Sequence, residues 1–592
     1  MAKKEYEQQA WSLADLYPGF DTPELQAALE EVKAGASAFE AMRPKLSPDM
    51  SEGTFMEMLA TYEGLARIIR RVGYYAQLRF SEDTQNQEAQ NFLAQVRQLL
   101  AQADNSTMFF TLWWKALEDE PAERLLTAAE GYRYWLEVLR LHKPYTLSEP
   151  EERVINLKDV NGPDALVTLY TAITNRYSFR MKVDGKEKEL TRGELMVYVR
   201  KQDADLRAVA YQELYRVYEQ DAVILGQIYQ YRLRDWFSEN LDLRGMAAPI
   251  SVRNLSNNVP NEVVDMLLDV CRENAPLFQR YFKLKAKRMG LERLRRYDIY
   301  APVSQYEKSI PYAEGVQAVL ESFRKFDAGT ADLAMQVLEQ NHLDSEVRKG
   351  KVSGAFCATA GPDLTPWVLM SYQGQPDDAA TLAHELGHAV HSLHASHHNV
   401  LSQSSSLPMA ETASTFAEML LIDHLLAEDP DPELQQLLLF RQMDDAYGTI
   451  MRQAFFALFE REAHAKVHDG ATVDDLSQIY LENLKIQFGD ALDLSEDFRF
   501  EWLAIPHFYH TPFYVYAYAF GQLLVLSLYQ QYLQEGKSFI PRYLEILAAG
   551  GSDSPARVLK RAGINFTERT FWQGGFDVLE SLLKRLEAIE TV

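Results

Sequence analysis

The stretch Ala383-His384-Glu385-Leu386-Gly387-His388-Ala389 reads as H-E-x-x-H, two histidines one helical turn apart with a glutamate beside the first. On a 3.6-residue helix His384 and His388 share a face, so both imidazoles can reach one metal ion. Glu385 is offset from that pair, where its carboxylate can deprotonate a water instead of ligating the metal. The chemistry open to such a set is metal-assisted hydrolysis. Chance produces a motif this short in on the order of a few per cent of chains, so the surroundings must decide.

A helix has to present these side chains. Asp377 and Asp378 are candidates for its N-terminal cap, Leu382, Leu386, Ala389, Val390 and Leu393 give it an apolar stripe, and nothing breaks it before Ser396. A tetrahedral hydrolytic zinc takes three protein ligands and keeps its fourth position for water. His394 stands where H-E-x-x-H-x-x-G-x-x-H would put a third histidine, but position 391 is His, not the glycine that turns the chain. His391 lies one turn beyond His388, yet three ligands from one straight helix fit a tetrahedron poorly, and hydrogen-bonding support suits it better. Glu411 is the third candidate. It opens a second helix after the polar loop Ser402 to Ser406, which is long enough for that helix to fold back. Glu418 follows at i+7 on nearly the same face, where it can orient a ligating histidine. Both could be solvated surface glutamates, but Ala410, Ala413, Phe416, Ala417, Met419 and Leu420 around them predict burial, and a buried carboxylate needs a partner.

Three stretches together resemble the oligoendopeptidase F family, relatives of thimet oligopeptidase among the gluzincin metallopeptidases. They are Thr381 to His388, Ala410 to Glu418, and Ile505-Pro506-His507 through Tyr514 to Tyr518. Trp11 to Tyr17, Leu255 to Pro260 and Arg296 to Tyr300 are of the same kind, so the resemblance spans most of the chain. It implies a mainly α fold, a large helical zincin enzyme with a deep substrate channel that excludes folded proteins, and a small β-sheet beside the H-E-x-x-H helix. It also implies one zinc ion per chain on His384, His388 and Glu411, with Glu385 as general base, and oligopeptide substrates. A division into an N-terminal helical region, 1–200, and a catalytic region, 201–592, follows from the resemblance, since composition shows no linker.

Peptide hydrolysis develops negative charge on the former carbonyl oxygen, and donors aimed at that oxygen lower the barrier. His507, Tyr514 and Tyr518 are the expected donors, because Tyr514 and Tyr518 stand one helical turn apart and thimet-like relatives use a histidine followed by tyrosines. The spacing is not identical, which leaves Tyr516 and His510 open as alternatives. An aromatic core helix is the plainer reading of the same residues.

Composition bounds the rest. The 592 residues are 47% hydrophobic, ample for a core, and 60 basic against 85 acidic residues give a net charge of −25 that argues against nucleic acid or an anionic membrane as partner. Cys271 and Cys357 make no disulfide framework, and the opening Met1 to Gln9 has no apolar core of a signal peptide, so a cytoplasmic protein is expected. The apolar run Pro512 to Tyr529 is interrupted by Tyr514, Tyr516, Tyr518, Gln522 and Ser527, which favours a buried helix over a membrane span.

Periodicity predicts long helices through Phe55 to Ala76 and from Phe92 onward, broken at 81–84. It further predicts a hairpin turning at Asp184-Gly185 before a helix capped by Thr191, and a helix from Asn261 that is interrupted or kinked at Pro276 and resumes through Leu277, Tyr281 and Leu284. Strands are expected through Tyr297, Ile299 and Ala301, at Val352 to Ala358 and at Trp367 to Tyr372, and helices again from Leu476 to Leu586. The expected function is zinc-dependent endopeptidase action on oligopeptides. An exopeptidase of carboxypeptidase type and a peptide-binding protein without catalysis are the rivals, and cobalt or manganese could replace zinc at such ligands.

Overall fold

A computed structural model describes residues 6–303 and 309–589; Met1 to Glu5, at the polar opening, lie outside them. The protein is mainly α, 71% helical. Seven short strands occur among the described residues: β1 (Phe179–Val183), β2 (Lys186–Leu190), β3 (Leu294–Arg295), β4 (Leu343–Asp344), β5 (Phe356–Ala358), β6 (Trp367–Leu369) and β7 (Leu492–Asp493). Among the described residues no helix is long and apolar enough to cross a membrane.

The chain condenses into two compact units, each built from three stretches. The first comprises Met1–Lys143, Lys308–Pro430 and Gln531–Asn565. Its long helices Glu52–Glu82 and Gln87–Ala116 form where periodicity predicts them, each started by a polar cap, Ser51 and Asn86. Their buried faces meet a three-stranded sheet in the order β4-β6-β5, with β4 parallel and β5 antiparallel to β6. Trp11, Leu16, Tyr75, Ala76, Trp367 and Leu369 share that core. The Trp367 indole donates to the Ser12 carbonyl at 2.8 Å. Both strands are shorter than alternation suggests, because only Phe356–Ala358 and Trp367–Leu369 find backbone partners.

The second unit comprises Pro144–Glu307, Asp431–Gln530 and Phe566–Val592. Its β1–β2 hairpin turns through Asp184 and Gly185, both at positive φ (50° and 76°), as a two-residue hairpin requires. Thr191 caps the next helix with Glu194 reciprocating, as predicted. Of the two readings at Pro276, interruption holds: the helix Asn261–Glu273 ends and a new one, Ala275–Arg288, starts with Pro276 in its first turn, where proline forfeits no helical hydrogen bond.

The strand expected through Tyr297, Ile299 and Ala301 is absent. Arg296–Asp298 forms a 3₁₀ turn because the Asp298 carboxylate folds back onto Arg295 (Nε, 2.8 Å) and takes Arg207 (Nε, 3.0 Å; Nη2, 2.9 Å). Arg207 and Asp298 are each 1% exposed, and satisfying that pair outweighs the alternation of apolar side chains.

Candidate active site

The helix Pro376–His394 carries the histidine pair. Its cap is Gln375, and Asp378 reaches back as the capping-box partner, accepting from the Gln373 and Gln375 amides at 2.7 and 2.8 Å. Neither Asp377 nor Asp378 is itself the cap, because Pro376 occupies the first turn and shifts the start by one residue. The rings of His384 and His388 lie 4.8 Å apart and nearly perpendicular.

Glu411 is not on the helix that follows. It sits in a 3₁₀ turn, Leu407–Thr412, and the α-helix proper is Ser414–Glu428, so Glu411 and Glu418 share no continuous helical face. Nor is Glu411 buried as its neighbours suggest: its side chain is 44% exposed. Its Oε2 nonetheless stands 3.4 Å from His384 Nε2 and 3.5 Å from His388 Nε2. Among the described residues these three side chains are the one group of His, Cys, Asp or Glu whose ligand atoms converge within 4.8 Å. Ligands at about 2.0–2.2 Å from a tetrahedral ion are separated by roughly 3.3–3.6 Å, so both histidine–glutamate separations fit a zinc-sized cation.

Neighbouring residues hold His384 and Glu411 in place. Glu418 Oε1 accepts from His384 Nδ1 at 2.5 Å, which keeps a proton on Nδ1, so that a cation can take the place of the proton on Nε2. Ser414 Oγ donates to Glu411 Oε2 at 2.7 Å. The Tyr543 hydroxyl donates to the Thr412 carbonyl at 3.0 Å, and its ring stacks on Phe416 at 4.2 Å. A Cβ on Gly387 would stand 2.7 Å from both the Ala413 carbonyl oxygen and Ser414 Cα, so only glycine lets the helix and the Glu411 turn approach this closely. Gly387, Ser414 and Tyr543 were not evident from sequence; the glycine inside the motif was the one available signal.

Burial opposes a charge on His384, but the Glu418 hydrogen bond, with Glu385 and Glu411 behind it, carries the ring up to about 9. Burial holds His388 down to about 4 against the pull of Glu411. Burial also pushes Glu385 up to about 7. Three carboxylates around two imidazoles leave an excess of negative charge that suits a divalent cation. Glu385 is 6% exposed, and its Oε2 has no hydrogen-bond partner among the described residues, so that oxygen is available to a proton. His391 is buried and held neutral, down to about 3, and with His394 it stays outside the converging set.

His384, Glu385 and His388 open into a pocket of about 430 Å³, whose wall includes Tyr74, Cys357 of β5 and Ser404. A Thr359–Ser392 hydroxyl pair at 2.7 Å ties the chain after β5 to the metal-site helix.

In the second unit His507, Tyr514 and Tyr518 form one cluster. The His507 and Tyr514 rings are parallel at 6.0 Å, and Tyr518 stands edge-on to both, at 6.0 and 5.4 Å. Tyr514 is not on the same helix as Tyr518. It lies in the turn between the helices Pro506–His510 and Tyr516–Glu535, just after Phe513 at φ 59°. Tyr516 is turned inward, fully buried, and accepts from Asn257 Nδ2 at 2.9 Å. His510 is exposed and contacts Thr171 Oγ1 at 3.3 Å. Burial, with the charges of His510 and Arg452, lowers His507, so its ring is a neutral donor.

The sequence matches the family model described as Peptidase family M3 over residues 197–578, and that described as Oligopeptidase F over residues 113–179. Oligopeptidase PepF of Bacillus subtilis is 28% identical over 98% of this chain and 87% of its own length. Group B oligopeptidase PepB of Streptococcus agalactiae is 28% identical over 91% and 90%. A crystal structure of a peptidase candidate from Chlamydophila abortus superposes with a TM-score of 0.89 at 25% identity, covering 98% of each chain. Oligoendopeptidase-F from Enterococcus faecium shares the fold, with a TM-score of 0.69 at 23% identity over 96% of this chain and 98% of that one.

Proposed function

The chain belongs to peptidase family M3, and from that premise we propose that it is a zinc-dependent endopeptidase of oligopeptides. The convergence of His384 Nε2, His388 Nε2 and Glu411 Oε2 beside the unpartnered Glu385 oxygen carries this reading. Zinc bound there supplies Lewis acidity, polarising the scissile carbonyl and bringing the pKa of water to about 7.

The chain's own residues do the rest. Glu385 takes the proton of the attacking water and passes it to the leaving amine. Glu418 holds His384 in one tautomer, and Ser414 holds Glu411. The His507 N–H and the Tyr514 and Tyr518 hydroxyls donate to the oxygen on which charge develops, each such donor being worth roughly 2.7–4 kcal/mol. β5 has no strand on its outer side among the described residues and lines the pocket, so an extended peptide can add there through backbone hydrogen bonds that ignore side-chain identity.

Relatives named as oligopeptidases support short peptides as substrates. The two cysteines, both free, suit a cytoplasmic location. The catalytic region is assigned to 201–592, after a helical region 1–200; every proposed site residue falls in the former, and the family M3 match begins at 197.

An internally quenched peptide blocked at both ends should be cut; a chain that cuts only peptides with a free end is an exopeptidase. The purified protein should carry one zinc. Glu385→Gln should keep that zinc and lose turnover, and near-normal turnover would remove Glu385 from the mechanism.

A further inference from the structure

Glu460 lies in the second unit, on the helix Arg452–His468, and is fully buried. Its Oε1 accepts the Phe513 amide at 2.9 Å, while Oε2 has no partner among the described residues. A buried carboxyl with half its capacity idle is costly, and an apolar residue would fill the same space without that cost.

Phe513 is at φ 59°, in the left-handed region that disfavours an L-residue with a bulky side chain. That conformation turns the chain sharply between the helices Pro506–His510 and Tyr516–Glu535, and it brings the Tyr514 ring back parallel to His507. The Phe513 ring is itself packed against His464, 4.7 Å away and one turn on from Glu460. Two neighbouring side chains of one helix thus hold the backbone and the ring of the residue that precedes Tyr514. The flanking segment is pinned as well: Arg232 Nε donates to the Tyr509 carbonyl at 3.1 Å, and Asn257 fixes Tyr516.

We propose that Glu460 is a positioning residue for the Tyr514 hydroxyl: by holding the Phe513 amide it maintains the left-handed turn that aims Tyr514 alongside His507. This rests on Tyr514 acting as a donor in the reaction. Burial pushes the Glu460 carboxyl up to about 8, so near neutrality it is a neutral acid whose carbonyl oxygen accepts the amide. A glutamine side chain reproduces that acceptor.

The test is a double-mutant cycle on the zinc-loaded full chain, with kcat and KM measured on a blocked peptide. Tyr514→Phe should lower kcat by about 100-fold, the scale of a lost oxyanion donor. Glu460→Leu should lower kcat by roughly 10- to 100-fold with KM changed less than about threefold, as a misaimed group does. Glu460→Gln should keep kcat within about threefold. In the Tyr514→Phe background, Glu460→Leu should change kcat less than about twofold, because its effect passes through the missing hydroxyl. A general loss of structure would instead act equally in both backgrounds, and that result overturns the proposal. Should Glu460→Leu not fold, Glu460→Asp, which withdraws the acceptor by one methylene, takes its place in the cycle. A fall with Tyr514→Phe but none with either Glu460 variant overturns the positioning role and leaves Tyr514 as a donor. No fall with Tyr514→Phe overturns both.

Discussion

At the scale of single residues, the least conspicuous member of the motif helps to seat the proposed third ligand. Gly387 is where the helix of the histidine pair comes so close to the 413–414 backbone that a Cβ has no room. Alanine at a helix interior is normally favourable by up to about 1 kcal/mol. At 387 its methyl must push the Glu411 turn away, at a cost of about 1–3 kcal/mol. Gly387→Ala should therefore weaken zinc binding by roughly 10- to 100-fold in a chelator competition while leaving the helical content intact. Parent-like affinity would mean that close approach is not what places Glu411. Residue type made Glu411 a candidate in the sequence, and its convergence with His384 and His388 agrees with that reading. Its exposure and its 3₁₀ turn were not legible, because they depend on contacts with Gly387 and Tyr543, far away in sequence.

At the scale of elements, a run of three tyrosines divides its labour by backbone geometry. Tyr514 and Tyr518 face His507, while Tyr516 points into the core and meets Asn257. Tyr516→Phe should cost stability, about 1–2 kcal/mol for an orphaned buried amide, with kcat nearly unchanged. Tyr518→Phe should do the opposite, lowering kcat with little effect on the melting temperature. Alternation alone could not separate the three, because the left-handed residue 513 resets the phase of the helix that follows.

The Asp298 turn is a parallel case, in which a buried ion pair displaced an expected strand. Burial raises the Asp298 pKa, but the guanidinium groups of Arg295 and Arg207 outweigh it, and the carboxyl sits below its ordinary value. Its stabilisation is thus present above the unfolded-state pKa near 4 and is lost as pH falls through the lower folded value. Asp298→Asn should destabilise the protein by about 3–5 kcal/mol at neutral pH. In denaturant titrations the gap from the parent should narrow only below about pH 4.

At the scale of the whole molecule, the order of the chain and the order of its packing differ. Helix class and the small sheet beside the metal-site helix were readable from periodicity and resemblance. The threading was not, because composition shows no linker and each unit draws on three separated stretches. A fragment of 201–592 holds every proposed site residue, yet it lacks Trp11, Leu16, Tyr75 and Ala76, which share a core with Trp367 and Leu369. That fragment should show neither a cooperative melt nor zinc retention on gel filtration. Adding 1–200 in trans should restore both if the two pieces find each other.

The stretch 531–565 has a bearing on when the protein becomes active. Tyr543 steadies the turn that holds Glu411, and the Gly551 amide donates to the Ser402 carbonyl at 2.9 Å, in the loop leading to that turn. During translation these supports are the last part of the first unit to emerge, long after His384, Glu385 and His388. A nascent chain arrested before residue 531 would display its histidines with the Glu411 turn lacking the Tyr543 and Gly551 supports. On the proposed ligand set, peptidase competence would therefore wait until synthesis is nearly finished.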